Sequence, residues 1–480
     1  MAASNPASAG MAPPSTKSTN AAVAAPVDPA SAQPQGVKRS AKQAFEEDPE
    51  TPPLVKMNAT PYAPQRHIND HYDIVGFISS GTYGRVYKAV SKRNASSQQP
   101  VKHPSTGRPI EAFAIKKFKP DKEGELQYTG ISQSAIREMA LCTELSHPAL
   151  IHLVEIILES KCIFMVFEYA EHDLLQIIHH HSLLNRTPIP ASTLRSCMYQ
   201  LLSGLLYLHQ NWVIHRDLKP ANIMVTSSGA IKIGDLGLAR LFFKPLHALF
   251  SGDKVVVTIW YRAPELLLGS RHYTPAIDLW AVGCIFGELL SLRPIFKGEE
   301  AKQDSKKAVP FQRNQMGKIA EVLGLPTKKD WPLLTAMPEC TNLGSVSLHS
   351  VGVQRPMGLE KWYRNTITNN NYGSSDAPPD AALDLLKQLL QYDPLRRLSA
   401  EQALKHAYFL GEDGSEKPPS CNCFEGLETK YPARKVSTEA HEIGTGSLPV
   451  TKRSGLQDDG LLRPSGALGV GTGLGKRVRD

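Results

Sequence analysis

Alternating apolar and polar residues predict strands in the first third of the chain. Between residues 72 and 89 the alternation is broken by the polar run Ser-Ser-Gly-Thr-Tyr-Gly at 79–84, which predicts two strands joined by a tight turn. A polar surface loop follows, and further strands are predicted at 111–118 and at the apolar run 163–167. This part of the chain therefore predicts a small sheet.

Apolar residues at helical spacing are typical of the rest. Ile131, Ala135, Met139 and Cys142 form one apolar stripe and predict a helix over 131–145. A small sheet followed by mostly helical sequence predicts an α+β fold with two unequal lobes. The later helices are predicted at 193–210, 275–291, 315–323, 381–390 and 400–408.

Composition places the folded part of the 480-residue chain between residues 71 and 410. Residues 1–70 are rich in Ala, Pro, Ser and Lys, and residues 411–480 are rich in Gly, Ser, Lys and Arg. Neither segment can bury much apolar surface, so we expect two disordered tails. The folded part divides into a small lobe at 71–168 and a large lobe at 171–410.

Charge limits the classes of partner. The formal net charge is +8, and short basic clusters lie in the tails, at Lys38-Arg39, Lys452-Arg453 and 476–479. Such clusters act as nuclear-import signals or weak nucleic-acid contacts, or are only solvated. The longest apolar stretch, at 279–292, is interrupted by two glycines and a glutamate, which favours a buried helix. We expect no direct nucleic-acid partner and no membrane.

Cysteine and histidine placement gives little sign of a metal site. The seven cysteines are scattered and lie mostly in apolar runs, which indicates a reduced compartment. Cys421 and Cys423 form a lone pair without a second pair, and the histidines at 179–181 lack a spaced carboxylate or cysteine partner.

The octapeptide His-Arg-Asp-Leu-Lys-Pro-Ala-Asn at 215–222, followed by Asp-Leu-Gly at 235–237, carries the predicted chemistry. The Asp217 carboxylate can orient an attacking hydroxyl, and Lys219 can reach a transferred phosphate. Asn222 and Asp235 supply the hard oxygen ligands that Mg²⁺ prefers. Together these residues predict phosphoryl transfer.

A glycine turn and a strand lysine predict a site for the phosphates of ATP. Backbone N–H groups of the turn can cover phosphates, although Ser79 occupies the first glycine position of the nucleotide-covering pattern. Period two in the strand places Lys116 on the face that meets a nucleotide, and Glu138 on the following helix is expected to pair with it. The predicted residues here are Ile78, Ser79, Ser80, Gly81, Thr82, Tyr83, Gly84, Arg85, Val86, Ala114, Lys116 and Glu138.

The sequence Phe-Glu-Tyr-Ala-Glu-His-Asp at 167–173 predicts a hinge between the two lobes. Its backbone groups at Glu168 and Ala170 can hydrogen-bond an adenine edge. Asp173 is expected near the ribose, and Phe167 behind the adenine.

The segment 235–265 has little periodicity, and so long a stretch without it predicts a functional loop. The loop ends in Trp-Tyr-Arg-Ala-Pro-Glu at 260–265. Glu265 is expected to form a buried ion pair with Arg397, which would fix the end of the loop.

Several motifs, taken in their order along the chain, resemble those of the eukaryotic protein kinases over residues 72–410. They are the glycine turn, Lys116, Glu138, the octapeptide, Asp235 and Ala-Pro-Glu at 263–265. The resemblance implies the bilobal kinase fold. Lys219 resembles the serine/threonine group, and the sequence 260–265 resembles the cyclin-dependent kinases. Leu236 replaces the usual Phe after the metal-binding Asp, but it can still pack against the helix that carries Glu138.

The helix sequence Ser-Gln-Ser-Ala-Ile-Arg-Glu at 132–138 resembles the cyclin-docking helix of the Mediator-associated kinases, which partner a C-type cyclin. This resemblance implies a nuclear enzyme of the Mediator kinase module. It also implies transcription factors and the C-terminal repeats of RNA polymerase II as substrates. The implied reaction is transfer of the ATP γ-phosphoryl group, with Mg²⁺, to Ser or Thr before Pro, and Thr258 is implied to brace Asp217 and Lys219.

The resemblance also implies a regulatory cluster. Arg137, Arg216 and Arg240 match three arginines that surround a phosphothreonine in related kinases, and Asp253 takes the place of that threonine. A carboxylate offers less charge than a phosphate. We therefore expect an acidic side chain of the cyclin to complete the cluster; phosphorylation of Ser251 is the alternative.

Two other functions remain open from the sequence. The first is that of another cyclin-dependent or mitogen-activated kinase, and the second is that of a catalytically silent scaffold that tethers a cyclin. The complete catalytic set opposes the scaffold.

Overall fold

The described structure is a computed structural model with several gaps. Among the residues singled out above, Gly81, Thr82, Tyr83, Ile131, Ser251, Asp253 and Thr258 lie outside it, as do the basic clusters of the tails. It describes residues 66–80, 84–92, 101–104, 107–118, 133–159, 162–185, 187–242, 259–272, 274–299, 311–346, 356–373, 376–411, 413–427 and 431–438.

An antiparallel five-stranded sheet forms most of the small lobe, and its spatial order is β1-β2-β3-β5-β4. Tyr87, Phe113 and Ile115 are fully buried beneath it. The sheet confirms the predicted strands and adds β4, whose run of apolar residues does not alternate clearly. The strands are β1 (Tyr72–Ser80), β2 (Gly84–Ser91), β3 (Ala112–Phe118), β4 (Leu153–Glu159) and β5 (Cys162–Glu168).

Two helices accompany the sheet, the short α1 (Ile68–His71) and α2 (Gln133–Glu144). In α2, Ala135, Glu138 and Leu141 are buried, and Met139 and Cys142 of the predicted apolar stripe are partly buried against the core. Ile136 lies on another face and is 49% exposed. The helix therefore fixes Glu138 inside the lobe while keeping an apolar side chain at the surface.

Helices make up most of the large lobe. Four of those predicted from periodicity, at 193–210, 275–291, 315–323 and 381–390, are confirmed within about two residues. The helix predicted at 400–408 is instead two short helices, Ala400–Leu404 and Ala407–Leu410, and the helices Leu174–His179, Pro264–Leu267 and Leu359–Asn369 are additional. Within the described residues, no helix combines the length and apolar character needed to cross a membrane. The helices are α3 (Leu174–His179), α4 (Ala191–Gln210), α5 (Pro264–Leu267), α6 (Ala276–Ser291), α7 (Arg313–Leu323), α8 (Leu359–Asn369), α9 (Asp380–Leu389), α10 (Ala400–Leu404) and α11 (Ala407–Leu410).

Short strands beneath the sheet frame the octapeptide loop. The loop leaves β7 and enters β8, and β8 pairs with β6 and β9, while β10 pairs with β7. Two ladders thus hold the chain before and after the octapeptide. The strands are β6 (His172–Asp173), β7 (Val213–Ile214), β8 (Ile223–Val225), β9 (Ile231–Ile233) and β10 (Arg240–Leu241).

A buried carboxylate on α6 anchors the start of this loop. Asp278 accepts hydrogen bonds from the backbone N–H groups of His215 and Arg216, both at 2.9 Å, and His209 Nε2 lies 3.0 Å from it. Burial alone would raise the pKa of the Asp278 carboxyl, but the hydrogen bond from His209 helps to hold that pKa below its usual value. The anion therefore holds Arg216 at a positive φ of 70°, which is uncommon for a residue other than glycine.

The predicted ion pair between Glu265 and Arg397 is confirmed. Arg397 donates two hydrogen bonds to the carboxylate of Glu265, at 2.7 and 2.6 Å, and both side chains are almost fully buried. Arg397 also donates to the carbonyl oxygens of Gln391 and Ala276. The pair joins the end of the 235–265 segment to the base of the large lobe.

Residues after the predicted domain boundary at 410 also lie against the domain. Cys423 and Tyr431 are buried, and Ser437 forms a β-bridge with Phe77 of β1. A few apolar side chains suffice here because backbone hydrogen bonds and ion pairs such as Arg195–Glu416 add further contacts. The composition of 411–480 gave no sign of this packing.

The Glu265–Arg397 pair gives a stability prediction. Glu265→Gln would leave the Arg397 guanidinium buried without its counter-charge, so the free energy of unfolding should fall by about 3–5 kcal/mol. Urea denaturation monitored by tryptophan fluorescence measures the change.

A matched control is the exposed pair Arg364–Asp380, which has the same two-point geometry at 2.6 and 3.0 Å. Asp380→Asn should barely move the denaturation midpoint, because water already solvates both groups. Equal shifts for the two variants would contradict the importance of burial.

Candidate active site

A cavity of about 880 Å³ lies between the two lobes. Most of the described residues that the sequence predicted for nucleotide and metal binding line it. Arg85 and Ala170 do not, and Ala170 is buried beside the hinge. The predicted residues that line the cavity are Ile78, Ser79, Ser80, Gly84, Val86, Ala114, Lys116, Glu138, Phe167, Glu168, Asp173, Asp217, Lys219, Asn222 and Asp235.

Lys116 stands at the centre of a charged cluster inside the cavity. Its Nζ donates to both carboxylate oxygens of Glu138 at 2.7 Å and to Asp235 Oδ1 at 3.0 Å. The pairing of Lys116 with Glu138 confirms the expectation from the sequence. One ammonium group thus joins the sheet, α2 and the Asp-Leu-Gly segment.

The charge states of this cluster follow from mutual stabilisation. Burial alone would lower the pKa of the Lys116 ammonium, but the nearby carboxylates of Glu138 and Asp235 raise it above its usual value. Burial likewise opposes ionisation of Asp235, but Lys116 holds the pKa of that carboxyl below its usual value. The site therefore presents a permanent cation beside an ionised carboxylate.

The octapeptide brings Asp217, Lys219 and Asn222 together. Lys219 Nζ donates to Asp217 Oδ2 at 2.8 Å, and Asn222 Nδ2 donates to the same oxygen at 3.1 Å and to the Asp217 carbonyl oxygen at 2.8 Å. The other carboxylate oxygen, Oδ1, is buried and makes no hydrogen bond within the described part of the chain. A buried acceptor without a donor is ready for a hydroxyl group.

His215 fixes the backbone on which Asp217 is carried. Its Nε2 lies 3.0 Å from the Gly234 carbonyl oxygen, and its Nδ1 accepts a hydrogen bond from the Asp217 N–H at 3.2 Å. The imidazole with its proton on Nε2 satisfies both contacts. It therefore links the octapeptide to the residue before Asp235.

Asn222 and Asp235 fit a divalent metal by the chemistry of their donors. Both line the cavity, and Asp235 is ionised and retains partial exposure of its side chain. An amide oxygen and a carboxylate are hard ligands that leave most coordination positions to phosphates and water. Asp235 has a positive φ of 61°, a conformation that turns the chain directly after β9.

The hinge is supported from behind by a buried polar cluster. The Glu168 carboxylate pairs with Lys232 at 2.8 Å and His103 at 3.4 Å, and it accepts a hydrogen bond from the His152 N–H at 2.9 Å. The side chain of Glu168 is thus used structurally. This arrangement is consistent with the prediction that only backbone groups of Glu168 meet an adenine.

The predicted arginine cluster reaches the Asp-Leu-Gly segment. Arg137 donates to the Gly237 carbonyl oxygen at 2.8 Å, and Arg216 donates to the Leu238 carbonyl oxygen at 3.1 Å. Arg240 lies in β10, opposite Ile214 of β7. Asp253, the expected anion, lies outside the described residues, so its place in the cluster stays a prediction.

Leu236 follows the expectation that it packs inside the domain. It is buried, and the short 3₁₀ turn Leu236–Leu238 contacts α2. The aromatic residue usual at this position is therefore not needed to couple the metal-binding segment to the helix.

Several residues that line the cavity could not be predicted from the sequence. Ile151 and Met224 contribute apolar walls, and residues 432–435 also line the cavity. Periodicity predicts burial but not which cavity a buried side chain lines. For 432–435 the sequence carries one weak signal, the isolated aromatic Tyr431, which is buried beside His181.

Comparisons with known proteins agree with this geometry. The protein kinase domain family matches residues 72–409. A protein named serine/threonine-protein kinase SSN3 from Phaeosphaeria nodorum is 66% identical over 414 residues, which are 85% of this chain and 89% of that protein. Proteins of the same name from Aspergillus niger and Aspergillus fumigatus are each 63% identical, over 84% of this chain and 91% of theirs.

Both the domain match and the relatives cover the Lys116–Glu138 pair and the octapeptide described above. The two-lobed α+β architecture also agrees with the fold expected from the motifs. The chain belongs to the protein kinase family and is a serine/threonine-protein kinase.

Proposed function

We propose that the chain is a cyclin-activated, Mg²⁺-dependent kinase that transfers the γ-phosphoryl group of ATP to Ser or Thr followed by Pro. The observation that carries the proposal is the buried Oδ1 of Asp217, which has no hydrogen-bond partner among the described residues and belongs to a side chain that lines the same cavity as Lys116. This oxygen accepts the proton of the attacking hydroxyl. Lys219, 2.8 Å from Oδ2, offers positive charge to the group in transfer.

Lys116 holds the phosphates of ATP in this proposal, and Glu138 keeps Lys116 in place. Asn222 and Asp235 hold Mg²⁺, which when bound neutralises charge on the phosphate oxygens. Catalysis then comes mostly from positioning and from preorganised charge. By resemblance, Thr258 braces Asp217 and Lys219, and Val256, Val257 and Arg262 shape the pocket for proline.

The proposed partner is a C-type cyclin that docks on α2. Supporting this, Ile136 exposes an apolar side chain on the helix that carries Glu138, and the next residue, Arg137, holds the Asp-Leu-Gly segment. A shift of α2 on cyclin binding would therefore also move the Asp-Leu-Gly segment, which is proposed to bind the metal. An acidic side chain of the cyclin, together with Asp253, would neutralise the arginines without a phosphate on the loop.

In this proposal the enzyme works in the nucleus as part of the Mediator kinase module. Its substrates are transcription factors and the C-terminal repeats of RNA polymerase II. The support is the motif resemblance of 132–138 and the high identity with the SSN3 kinases, whose names give serine/threonine kinase activity.

Asp217→Ala should lower the rate of phosphoryl transfer to a Ser-Pro peptide by about a hundredfold to ten-thousandfold, because the hydroxyl loses its proton acceptor. A radiolabelled ATP assay measures the rate, and ATP binding should persist. The exposed Asp376 provides the matched control, Asp376→Ala, with an unchanged rate. Normal transfer by Asp217→Ala would refute the assigned role, and no transfer by the unmodified chain purified together with its cyclin would favour a silent scaffold.

Asp235→Asn tests the proposed metal site. Loss of one carboxylate charge should raise the Mg²⁺ concentration for half-maximal activity about tenfold or more, because an amide oxygen is a weaker ligand. A titration of activity against Mg²⁺ after chelation measures this. An unaltered Mg²⁺ requirement would place the metal elsewhere.

Ile136→Glu tests the docking face. A carboxylate in the middle of an apolar contact should abolish co-purification of the cyclin and lower activity about a hundredfold, while the isolated domain remains folded. The control Leu395→Glu changes an apolar side chain that is 78% exposed on the large lobe, and it should retain the partner. Mass spectrometry of the purified complex identifies what is bound. Retention of the cyclin by Ile136→Glu would exclude this face.

A further inference from the structure

Residues 431–438, here called the strap, run along the outside of the hinge and touch both lobes. At its start, the Tyr431 hydroxyl lies 2.9 Å from His181 Nε2 in the large lobe. Near its end, Ser437 exchanges two backbone hydrogen bonds with Phe77 of β1, at 2.7 and 2.8 Å. The strap therefore bridges the two lobes at the open edge of the nucleotide cavity.

Backbone contacts fix the middle of the strap to the hinge. The Arg434 N–H donates to the Glu171 carbonyl oxygen at 2.8 Å, and His172 Nδ1 lies 2.9 Å from the Pro432 carbonyl oxygen. These bonds do not depend on the identity of the strap side chains. They set the position from which the Arg434 side chain enters the cavity.

Arg434 meets the residue predicted to lie near the ribose. Its Nη2 is 3.3 Å from Asp173 Oδ2, and both side chains are only 14% exposed. The second carboxylate oxygen, Asp173 Oδ1, accepts a hydrogen bond from the Gln176 N–H at 2.8 Å, which caps α3. The carboxylate is thus held on both sides, by a helix end and by the strap.

One hydrogen-bond donor of Arg434 is not used. Its Nε is buried, lies in a side chain that lines the cavity, and has no hydrogen-bond partner among the residues that the structure describes. A buried guanidinium N–H without an acceptor is costly, so a partner is expected from a molecule in the cavity. That molecule must bring an oxygen or nitrogen acceptor close to Asp173.

A ribose hydroxyl matches these two neighbours. The hydroxyl group donates one hydrogen bond and accepts others, so it can donate to the Asp173 carboxylate while accepting from Arg434 Nε–H. Adenine lacks such a group, and the phosphates are assigned to Lys116 at another part of the cavity.

We propose that the strap completes the ribose end of the nucleotide site, with Arg434 orienting Asp173 and binding a ribose hydroxyl through Nε–H. This inference rests on the proposed use of ATP. It makes a segment beyond the kinase domain match a determinant of nucleotide affinity.

The direct test compares two nucleotides that differ only at the ribose hydroxyls. ATP and 2′,3′-dideoxy-ATP are titrated with Mg²⁺ into the purified full chain by calorimetry. Arg434→Ala should weaken ATP binding about tenfold and leave dideoxy-ATP binding within about twofold, because the lost hydrogen bond is specific to the hydroxyls. The KM for ATP should rise in parallel, with kcat little changed.

A second variant, Gly76→Ala on β1 of the small lobe, disturbs the strap without changing any strap residue. A Cβ atom on Gly76 would lie 2.5 Å from the Ser437 carbonyl oxygen and 2.7 Å from a methyl group of Val436, so Gly76→Ala is incompatible with the strap where it lies. It should also weaken ATP more than dideoxy-ATP. In the Arg434→Ala background Gly76→Ala should add little, because both changes remove the same interaction.

The controls separate charge, structure and function. Arg364→Ala removes an exposed arginine of the large lobe and should leave both affinities unchanged. Arg434→Lys keeps the charge beside Asp173 but lacks Nε–H, so it should recover only part of the affinity for ATP.

Equal losses for the two nucleotides in Arg434→Ala would overturn the inference, because the strap would then act on the whole site. Tighter binding of ATP would also overturn it, since Arg434 would then compete with the ribose for Asp173. If the unmodified chain bound no ATP, the proposed function itself would fail. If it bound ATP and all variants matched it, only the inference would fail.

Discussion

The active site depends on one buried ammonium group. Lys116 contacts Glu138 on α2 and Asp235 after β9, at 2.7 and 3.0 Å, so three separate parts of the chain meet at Nζ. Lys116 holds the pKa of the Asp235 carboxyl below its usual value, and the two carboxylates in turn raise the pKa of the Lys116 ammonium. The position of α2 and the charge on Asp235 are therefore coupled through Lys116.

This shared constraint explains why α2 can control the site. Movement of α2 away from the sheet would remove Glu138 from Lys116, and it would also break the hydrogen bond from Arg137 to the Gly237 carbonyl oxygen. Arg216, whose backbone is held at a positive φ by Asp278, donates a hydrogen bond to the neighbouring Leu238 carbonyl oxygen. The Leu236–Leu238 turn is therefore held by the small lobe and the octapeptide at once.

The sequence predicted these polar contacts better than it predicted the packing of residues after 410 against the domain. Lys116 with Glu138, and Glu265 with Arg397, could be paired because each lies in a motif whose position on a strand, helix or loop follows from periodicity and resemblance. The strand β4 was missed because its apolar run does not alternate. The strap was missed because backbone bonds, as between Ser437 and Phe77, leave no pattern in side-chain type, and because Arg434 and Asp173 are far apart in the chain.

The strap also accounts for an otherwise vulnerable edge of the sheet. In the order β1-β2-β3-β5-β4, β1 is an edge strand, and its outward backbone groups would be open to pairing with another chain. Ser437 hydrogen-bonds the backbone N–H and carbonyl groups of Phe77. Gly76, the residue before Phe77, has no side chain and so leaves room for this close approach. Since β1 leads directly to Ser79 and Ser80, which line the cavity, the same contact restrains this edge of the cavity. Protection of the sheet edge and the position of these cavity-lining residues thus depend on a single pair of backbone hydrogen bonds.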